Sequence, residues 1–280
     1  MLNISKYPFV YQDEESIYLY KHVRFSNGSL AILRDGTIRF TPPKEFNDPF
    51  DCVYDISKDF HSAKEIKRIE SKAGIKSLSP AKRIQLVQRV KHIQKNEMNN
   101  GSYFEKLHQG LGVCCLNHNP LNILMWSHYA DNHKGFLIEF KFPKKSLITG
   151  REFIEFLPIP VEYKEFIPIV SKRDRELSET ITEKVYLTKS IDWQYENEFR
   201  ILKWDIDNSI QSYPKDKVLC SVIGGLRLES SHEKMITKIC KELGIGFFKA
   251  KRIPNSYGLT VPNHPRLDIS KKFNSKKNKF

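Results

Sequence analysis

Runs of apolar and aromatic residues, separated by turn-forming residues, open the chain. Residues 17–25 are rich in aromatic and β-branched side chains and predict a first strand. An apolar cluster at residues 29–34 predicts a short helix, and residues 37–41 predict a second strand. Pro42 and Pro43 end that strand, because proline cannot donate a hydrogen bond to a neighbouring strand.

The pattern becomes helical between residues 61 and 99. Ser79 and Pro80 form a typical helix start, with serine as the cap and proline in the first turn. Apolar residues then recur every three or four positions, beginning at Ile84, as on one face of a helix. Basic residues occupy the remaining faces at Lys82, Arg83, Arg89, Lys91 and Lys95. We expect a basic helix that is half of a helical hairpin.

Strands and helices interleave irregularly over the rest of the chain. Strands are predicted at residues 111–116, 153–163 and 197–204, and helices at residues 120–131 and 175–187. One further segment alternates, with Phe136, Ile138 and Phe140 on one face of a predicted strand. Leu137 and Glu139 lie on its other face.

The last part of the chain, residues 218–252, has the order strand, helix, strand and predicts a small parallel unit. The irregular mixture as a whole predicts the α+β class rather than a doubly wound fold. We expect one domain over residues 1–265, with mostly antiparallel strands, flanking helices and a basic helical insertion at 61–110. A basic, flexible tail follows at residues 266–280.

The net positive charge of the chain is concentrated in two segments. The chain has 280 residues and 40% apolar residues, so it can form a sizeable core and is not disordered throughout. Its net charge is +13, of which residues 61–110 carry +7 and residues 266–280 carry +5. These two segments could attract nucleic acid, although a solvated helix face and a solubilising tail would have the same composition.

The cellular compartment is inferred from the apolar runs and the cysteines of the sequence. No run approaches the roughly 18 apolar residues of a membrane-spanning helix, and the first residues lack the layout of a secretory signal. The five cysteines are odd in number and scattered. We therefore expect a protein of the reducing cytoplasm with no membrane partner. The sequence does not indicate an oligomeric state.

Several familiar sites are missing. The chain has no Walker loop and no dinucleotide-binding glycine motif after a strand. Cys114 and Cys115 are neighbours on a predicted strand and point to opposite faces, so they cannot easily join His118 at one zinc ion. We interpret both as buried strand cysteines, in preference to a metal site or to Cys115 as a nucleophile, and we expect no metal.

Two segments contain candidate functional residues. In the first, WSHYADNHKG at residues 126–135, His133 lies in a turn and is the candidate for a pocket, unless it only complements a helix end. In the second, WQYENEFRIL at residues 193–202, alternation on a strand predicts that Glu196, Glu198 and Arg200 share one face. That row is either catalytic or a solvated face with a Glu–Arg pair.

These segments carry a family resemblance. The blocks concerned are LYK at residues 19–21, DGTIRF at 35–40, PKEFNDPFDC at 43–52, CL at 115–116, MWSHYA at 125–130, HKG at 133–135 and YENEFR at 195–200. They resemble the bacterial domain-of-unknown-function family twenty-nine seventy-one, which is related to AbiG-type abortive-infection proteins. The resemblance extends over roughly residues 19–252.

A second resemblance is to the ADP-ribosyltransferase fold, through the first strand with Tyr-Lys-His and the late strand with Glu-x-Glu. It implies an ADP-ribosyltransferase-like core that uses NAD as a substrate and needs no metal. His22 or Lys21 would hold the ribose or amide of NAD, and Glu198, assisted by Glu196, would orient the reacting ribose. The implied NAD-binding residues are Tyr20, Lys21, Thr41, Phe46, Asn47, Asp48, Trp126, Tyr129 and His133. The Ser-Thr-Ser-like run of such enzymes is replaced here by FTPP at residues 40–43, and Asn47 and Asp48 would substitute for it.

The resemblances together imply an ADP-ribosyltransferase of the bacterial cytoplasm, a toxin or phage-defence effector that modifies a nucleic acid or a protein. The alternative is a non-catalytic defence or sensor domain that binds nucleic acid or a protein through the basic insertion. Its binding residues would be Lys82, Arg83, Arg89 and Lys91. A third alternative is a magnesium-dependent nuclease that uses Asp48, Asp51, Glu196 and Glu198.

Overall fold

A computed structural model describes residues 11–57, 79–99, 109–149, 154–171 and 178–269. The chain forms two compact units. The first contains Met1–Thr41, Gly112–Val161 and Asp192–Phe280, and the second contains Pro42–Leu111 and Glu162–Ile191. The predicted α+β class is confirmed, since several helices accompany a mostly antiparallel sheet.

Fifteen strands lie in these ranges. They are β1 (Ser16–Val23), β2 (Thr37–Arg39), β3 (Asp55–Ile56), β4 (Gly112–Asn117), β5 (Phe136–Pro143), β6 (Ile159–Pro160), β7 (Glu162–Lys164), β8 (Ile169–Val170), β9 (Thr188–Ser190), β10 (Glu198–Lys203), β11 (Ile210–Ser212), β12 (Leu219–Gly224), β13 (Gly246–Lys249), β14 (Lys251–Arg252) and β15 (Leu259–Thr260).

The same ranges contain seven α-helices and three 3₁₀ turns. The helices are α1 (Asn27–Arg34), α2 (Pro80–Asn99), α3 (Ile123–Tyr129), α4 (Lys144–Thr149), α5 (Ser178–Tyr186), α6 (Lys215–Val218) and α7 (Ser230–Glu242), and the 3₁₀ turns are Pro43–Glu45, Ile154–Phe156 and Ile191–Glu196.

Seven strands of the first unit form one sheet in the order β13-β12-β5-β1-β4-β10-β6. All neighbours are antiparallel except β12 and β13, which are parallel and joined by α7. The predicted strand–helix–strand unit at the end of the chain is therefore confirmed. Helix α1 is also confirmed, and it begins with a capping box in which Ser26 and Ser29 bond each other's backbone N–H groups.

The sheet has an apolar face and a partly polar face. Ile17 and Leu19 of β1 belong to the larger apolar cluster, together with residues of α1 and α7. Tyr18 and Tyr20 alternate with them and join the second cluster on the opposite face, with Trp126. The alternation predicted for β5 is confirmed in the same way, since Phe136 packs in the first cluster and Leu137 in the second.

A row of buried polar side chains crosses the second face. Cross-strand pairing aligns Ser221 of β12 with Glu139 of β5, Glu139 with Tyr20 of β1, Tyr20 with Asn117 of β4, and Asn117 with Glu198 of β10. All five side chains are buried. We call Ser221, Glu139, Tyr20, Asn117 and Glu198 the polar row.

The second unit contains two short parallel pairs, β3 with β8 and β7 with β9, and helices α2 and α5. Helix α2 begins at Pro80, as the Ser79-Pro80 start predicted. The assignment of Ile84 to the apolar side of this helix is not matched by burial, since it is 58% exposed. Residues 61–78 and 100–108 of the predicted insertion, and residues 270–280 of the predicted tail, lie outside the described residues.

Glu139, the second member of the polar row, is a fully buried carboxylate. It accepts hydrogen bonds from Tyr20 Oη at 3.0 Å, Ser221 Oγ at 2.7 Å and Arg266 Nη2 at 2.7 Å, and His264 Nε2 lies 3.5 Å away. Burial alone would raise the pKa of Glu139, but the bonds from His264 and Arg266 outweigh it and lower the pKa to about 2. Residues 264–266 are thereby attached to the sheet by charge.

We expect Arg266→Met to lower the free energy of unfolding by about 3 kcal/mol at neutral pH, because it leaves a buried carboxylate without its cation. The folded-state pKa of Glu139 lies below the ordinary value of 4.5, so this stabilisation is present above that pH and is lost as the pH falls towards 2. The difference between wild type and variant should therefore shrink on acidification.

Urea unfolding from neutral pH to about pH 3 measures this difference. The control is Lys238→Met, which removes an exposed Lys238–Glu242 pair on α7 and should cost only about 0.5 kcal/mol. Equal effects of the two substitutions would contradict the assigned role of Arg266.

Candidate active site

A left-handed turn follows α3. Asp131, Asn132 and His133 have φ of 46°, 52° and 68°, and three consecutive non-glycine residues rarely adopt this conformation. Backbone hydrogen bonds hold the turn, from Asn132 N to Ser127 O, from His133 N to Trp126 O and from Gly135 N to Ala130 O. Such strain is typical of functional sites.

Two glycines let neighbouring backbone approach this turn. A Cβ on Gly135 would lie 2.1 Å from the carbonyl oxygen of Val23, and a Cβ on Gly225 would lie 2.2 Å from that of His133. Any other residue would separate the turn from β1 and β12. Close packing of the turn against the backbone at Val23 and Gly225 therefore fixes the position of His133.

Three aromatic rings link this turn to β1. The His133 ring lies parallel to Trp126, with centroids 5.9 Å apart. Trp126 is fully buried, donates from Nε1 to the Pro120 carbonyl at 2.7 Å and meets the His22 ring edge-on at 5.1 Å. The two histidines, both candidates from the sequence, thus contact opposite parts of one tryptophan.

Asn117 determines the tautomer of His22. The Nδ2 amide nitrogen of Asn117 donates to the Tyr20 carbonyl at 3.0 Å and lies 3.0 Å from His22 Nδ1. The carbonyl contact fixes the orientation of the amide, because a carbonyl oxygen only accepts. The second amide proton therefore points at His22 Nδ1, which accepts it, and Nε2 carries the imidazole proton.

Burial keeps His22 neutral. Loss of hydration lowers the pKa of His22 to about 3, with smaller contributions from His133 and Lys21. The ring is therefore a neutral hydrogen-bond donor at physiological pH rather than an acid or a cation.

Two atoms of this pair have no partner within the part of the chain that the structure describes. They are His22 Nε2, a donor, and Asn117 Oδ1, an acceptor. Nδ1 of His133 is also buried and has no hydrogen-bond partner among the described residues. Buried polar groups are normally hydrogen-bonded, so an adjacent donor and acceptor left unpaired indicate a place for a ligand or water.

Glu198 and Arg200 lie beside this pair on β10. Glu198 is the cross-strand neighbour of Asn117. Arg200 is fully buried and binds Glu198 with two bonds, Nε to Oε1 at 2.8 Å and Nη2 to Oε2 at 3.2 Å. The expected shared face of Glu198 and Arg200 is confirmed, but the alternative of a solvated face is wrong because both side chains are buried.

Glu196 is not on the strand, contrary to the prediction. It ends the 3₁₀ turn Ile191–Glu196, and Asn197 follows with φ of 49°, so β10 begins only at Glu198. A left-handed residue breaks the alternation on which the prediction depended. Glu196 is nevertheless buried and accepts a hydrogen bond from Tyr129 Oη.

Cys114 and Cys115 point to opposite faces of β4, as expected. Cys114 packs in the apolar cluster, whereas Cys115 lies near Glu198 and Arg200. Burial, reinforced by Glu198, raises the pKa of the Cys115 thiol, so it is not a thiolate at neutral pH.

One comparison with known proteins bears on this site. Residues 125–201 match the model of a family described as protein of unknown function (DUF2971). This match supports the predicted DUF2971 assignment for that part of the chain. No curated protein and no solved structure matches the chain. The relation to AbiG-type proteins and to ADP-ribosyltransferases therefore stays a prediction.

The segment matched to DUF2971 contains Trp126, Tyr129, His133, Glu198 and Arg200. His22 and Asn117, which complete the site, lie outside it. Among the described residues, no helix is long and apolar enough to cross a membrane. In the same ranges, no group of three or more His, Cys, Asp or Glu side chains is arranged to hold a metal ion.

Three other candidates in the first unit, Tyr20, Lys21 and Thr41, direct their bonds to other partners than His22. Lys21 points to the opposite face of β1 and donates to the Cys115 carbonyl at 3.0 Å. Tyr20 Oη donates to Glu139 rather than into the site. Thr41 makes a backbone bridge to Val113.

Phe46, Asn47 and Asp48 belong to the second unit. Phe46 is half-buried and Asn47 is exposed, and Asp48 accepts a hydrogen bond from the Phe50 N–H.

Sequence reasoning missed Asn117. The only signal was an asparagine at the end of an otherwise apolar strand, where asparagine is uncommon. Its importance depends on pairing with β1 and β10, which are about 95 and 80 residues away along the chain.

We expect Gly135→Ala to lower the free energy of unfolding by about 3 kcal/mol or more, because the added methyl would overlap the Val23 carbonyl. The control is Gly28→Ala in α1, where the nearest atom to an added Cβ is 3.9 Å away and the change should stay within about 1 kcal/mol. Thermal and urea unfolding measure both variants. Equal stability of the two would show that the turn does not require this close approach.

Proposed function

We propose that this protein is an NAD-dependent ADP-ribosyltransferase-like enzyme of the bacterial cytoplasm, a toxin or phage-defence effector whose acceptor is a nucleic acid or a protein. The proposal rests on one observation, the unpaired donor at His22 Nε2 beside the unpaired acceptor at Asn117 Oδ1. The five cysteines, none of them in a disulfide, support the cytoplasmic assignment.

A carboxamide fits that pair of atoms. Its carbonyl oxygen can accept from His22 Nε2–H, and its NH₂ group can donate to Asn117 Oδ1. Nicotinamide carries such a carboxamide, and the buried Trp126, which meets the His22 ring edge-on, would hold that ring in position. The neutral state of His22 suits this role, because an imidazolium would repel the pyridinium ring.

Glu198 would act on the ribose. Cleavage breaks the bond between ribose C1′ and the pyridinium nitrogen. The electron pair of that bond stays on the nitrogen, and neutral nicotinamide leaves. The ribose develops oxocarbenium character, which the Glu198 carboxylate would stabilise as it accepts a hydrogen bond from a ribose hydroxyl. The acceptor nucleophile, or water, then forms the new bond to C1′ and loses a proton.

Arg200 would position this carboxylate. Its two bonds to Glu198 fix the plane of the carboxyl group on a rigid strand, as a precise catalytic geometry requires. The same guanidinium compensates the buried charge. In this proposal Glu196, held by Tyr129, is a positioning residue.

The test is release of nicotinamide from NAD by the purified protein, alone and with cellular RNA or lysate. We expect Glu198→Gln, which keeps the shape and removes the charge, to lower kcat by about a hundredfold or more. The matched control is Glu242→Gln, an exposed glutamate on α7, which should leave the rate unchanged. Transfer of label from NAD would then identify the acceptor.

Because Glu198→Gln also disturbs a buried ion pair, a second variant is needed. His22→Phe keeps a ring against Trp126 and removes the donor, so binding of nicotinamide measured by calorimetry should weaken by about tenfold. No nicotinamide release and no NAD binding by the folded wild type would overturn the proposal.

A second candidate function, the binding of nucleic acid, is favoured by α2. Lys82, Arg83 and Arg89 are exposed on this helix, and Lys91 belongs to it as well. Clustered cations bind phosphate backbones with an affinity that falls as salt rises.

We expect combined charge reversal at Arg83, Arg89 and Lys91 to abolish binding of a labelled RNA or DNA duplex in a mobility-shift assay. Lys238→Glu on α7 is the control and should leave binding unchanged, as should Glu198→Gln. Wild-type binding that does not weaken with salt, or survives the reversal, would contradict this function.

A further inference from the structure

A groove of about 340 Å³ opens beside the left-handed turn in the first unit. One wall comes from α3 and the turn, and the other from the segment after β12 and from the hairpin β14–β15. Its lining residues are Ile123, Ser127, Asn132, His133, Leu226, Arg227, Arg252, Ser256, Tyr257, Gly258 and Leu259. His133 therefore faces this groove as well as Trp126.

The groove carries positive charge only. Arg227 and Arg252 are exposed, and no carboxylate is among the described residues that line the groove. Within the described ranges neither guanidinium has an ion-pair partner. Arg227 is close enough to help lower the pKa of His133. Two arginines that are not neutralised by protein carboxylates are suited to a phosphate, which guanidinium groups bind in a fork geometry.

An aromatic ring stands at the edge of the same groove. Tyr257 is 96% exposed, at the tip of the β14–β15 hairpin. The tip is ordered by bonds from Ile253 N to Gly258 O and from Ser256 N to Ile253 O. Full exposure of a tyrosine contributes nothing to the core, whereas a base could stack on its ring.

We propose that this groove binds a nucleoside phosphate, with the phosphate held by Arg227 and Arg252 and the base stacked on Tyr257. The inference does not need NAD cleavage, because none of the three residues takes part in that chemistry. The nucleoside phosphate could be a free nucleotide, such as the adenosine diphosphate half of NAD, or one unit of a single-stranded nucleic acid.

The experiment titrates ADP, inorganic phosphate and a short single-stranded oligonucleotide into the full chain and follows binding by calorimetry. We expect Arg227→Ala and Arg252→Ala each to weaken ADP binding by about tenfold. Tyr257→Ala should weaken ADP binding by about tenfold and leave phosphate binding unchanged. The control is Arg34→Ala, an exposed arginine at the end of α1, which packs on the opposite face of the sheet.

Each outcome is decisive. ADP binding with these losses supports a free nucleotide, and binding of the oligonucleotide alone, with the same losses, supports a nucleic acid. Phosphate binding as tight as ADP binding, or no effect of Tyr257→Ala, would mean a simple anion site and overturn the inference, as would no binding at all. NAD cleavage with no binding of either ADP or the oligonucleotide would overturn only this inference. ADP binding with no release and no binding of nicotinamide would overturn only the proposed function.

Discussion

Burying polar and charged side chains in the middle of a sheet is the constraint on which the first unit depends. The polar row crosses five strands, and each of its members loses its hydration on folding. Its two carboxylates, Glu139 and Glu198, each have an arginine, Arg266 and Arg200. One arginine comes from the end of the described chain and the other from the same strand, so distant segments must reach the sheet before it is stable.

The unpaired atoms of His22 and Asn117 contrast with the fully bonded carboxylates of the polar row. Glu139, two strands along the same row, accepts hydrogen bonds from Tyr20, Ser221 and Arg266. His22 Nε2 and Asn117 Oδ1 have no partner among the described residues, and a buried donor and acceptor of this kind are the observation that carries the proposed function. The strained turn that places His133 also joins the segment after β12, because the His133 carbonyl accepts a hydrogen bond from Arg227 N.

Local patterns predicted most of the elements but only part of the site. The alternation of Phe136 and Leu137, the start of α2 at Pro80 and the opposite faces of Cys114 and Cys115 follow from nearest-neighbour geometry, and all are confirmed. Glu196 was misplaced because a left-handed residue, Asn197, shifts where the strand begins. Asn117 was missed because its role arises from the strand order, which pairs residues far apart in sequence.

The residues of the candidate site lie partly inside and partly outside the segment that matches DUF2971. Residues 125–201 supply Trp126, His133, Glu198 and Arg200, which form the aromatic and charged walls. The unpaired donor and acceptor come from β1 and from the end of β4, and the arginines of the groove come from beyond β12. In the proposed function, the atoms that would contact the carboxamide therefore lie outside the matched segment, and the residues that would act on the ribose lie inside it.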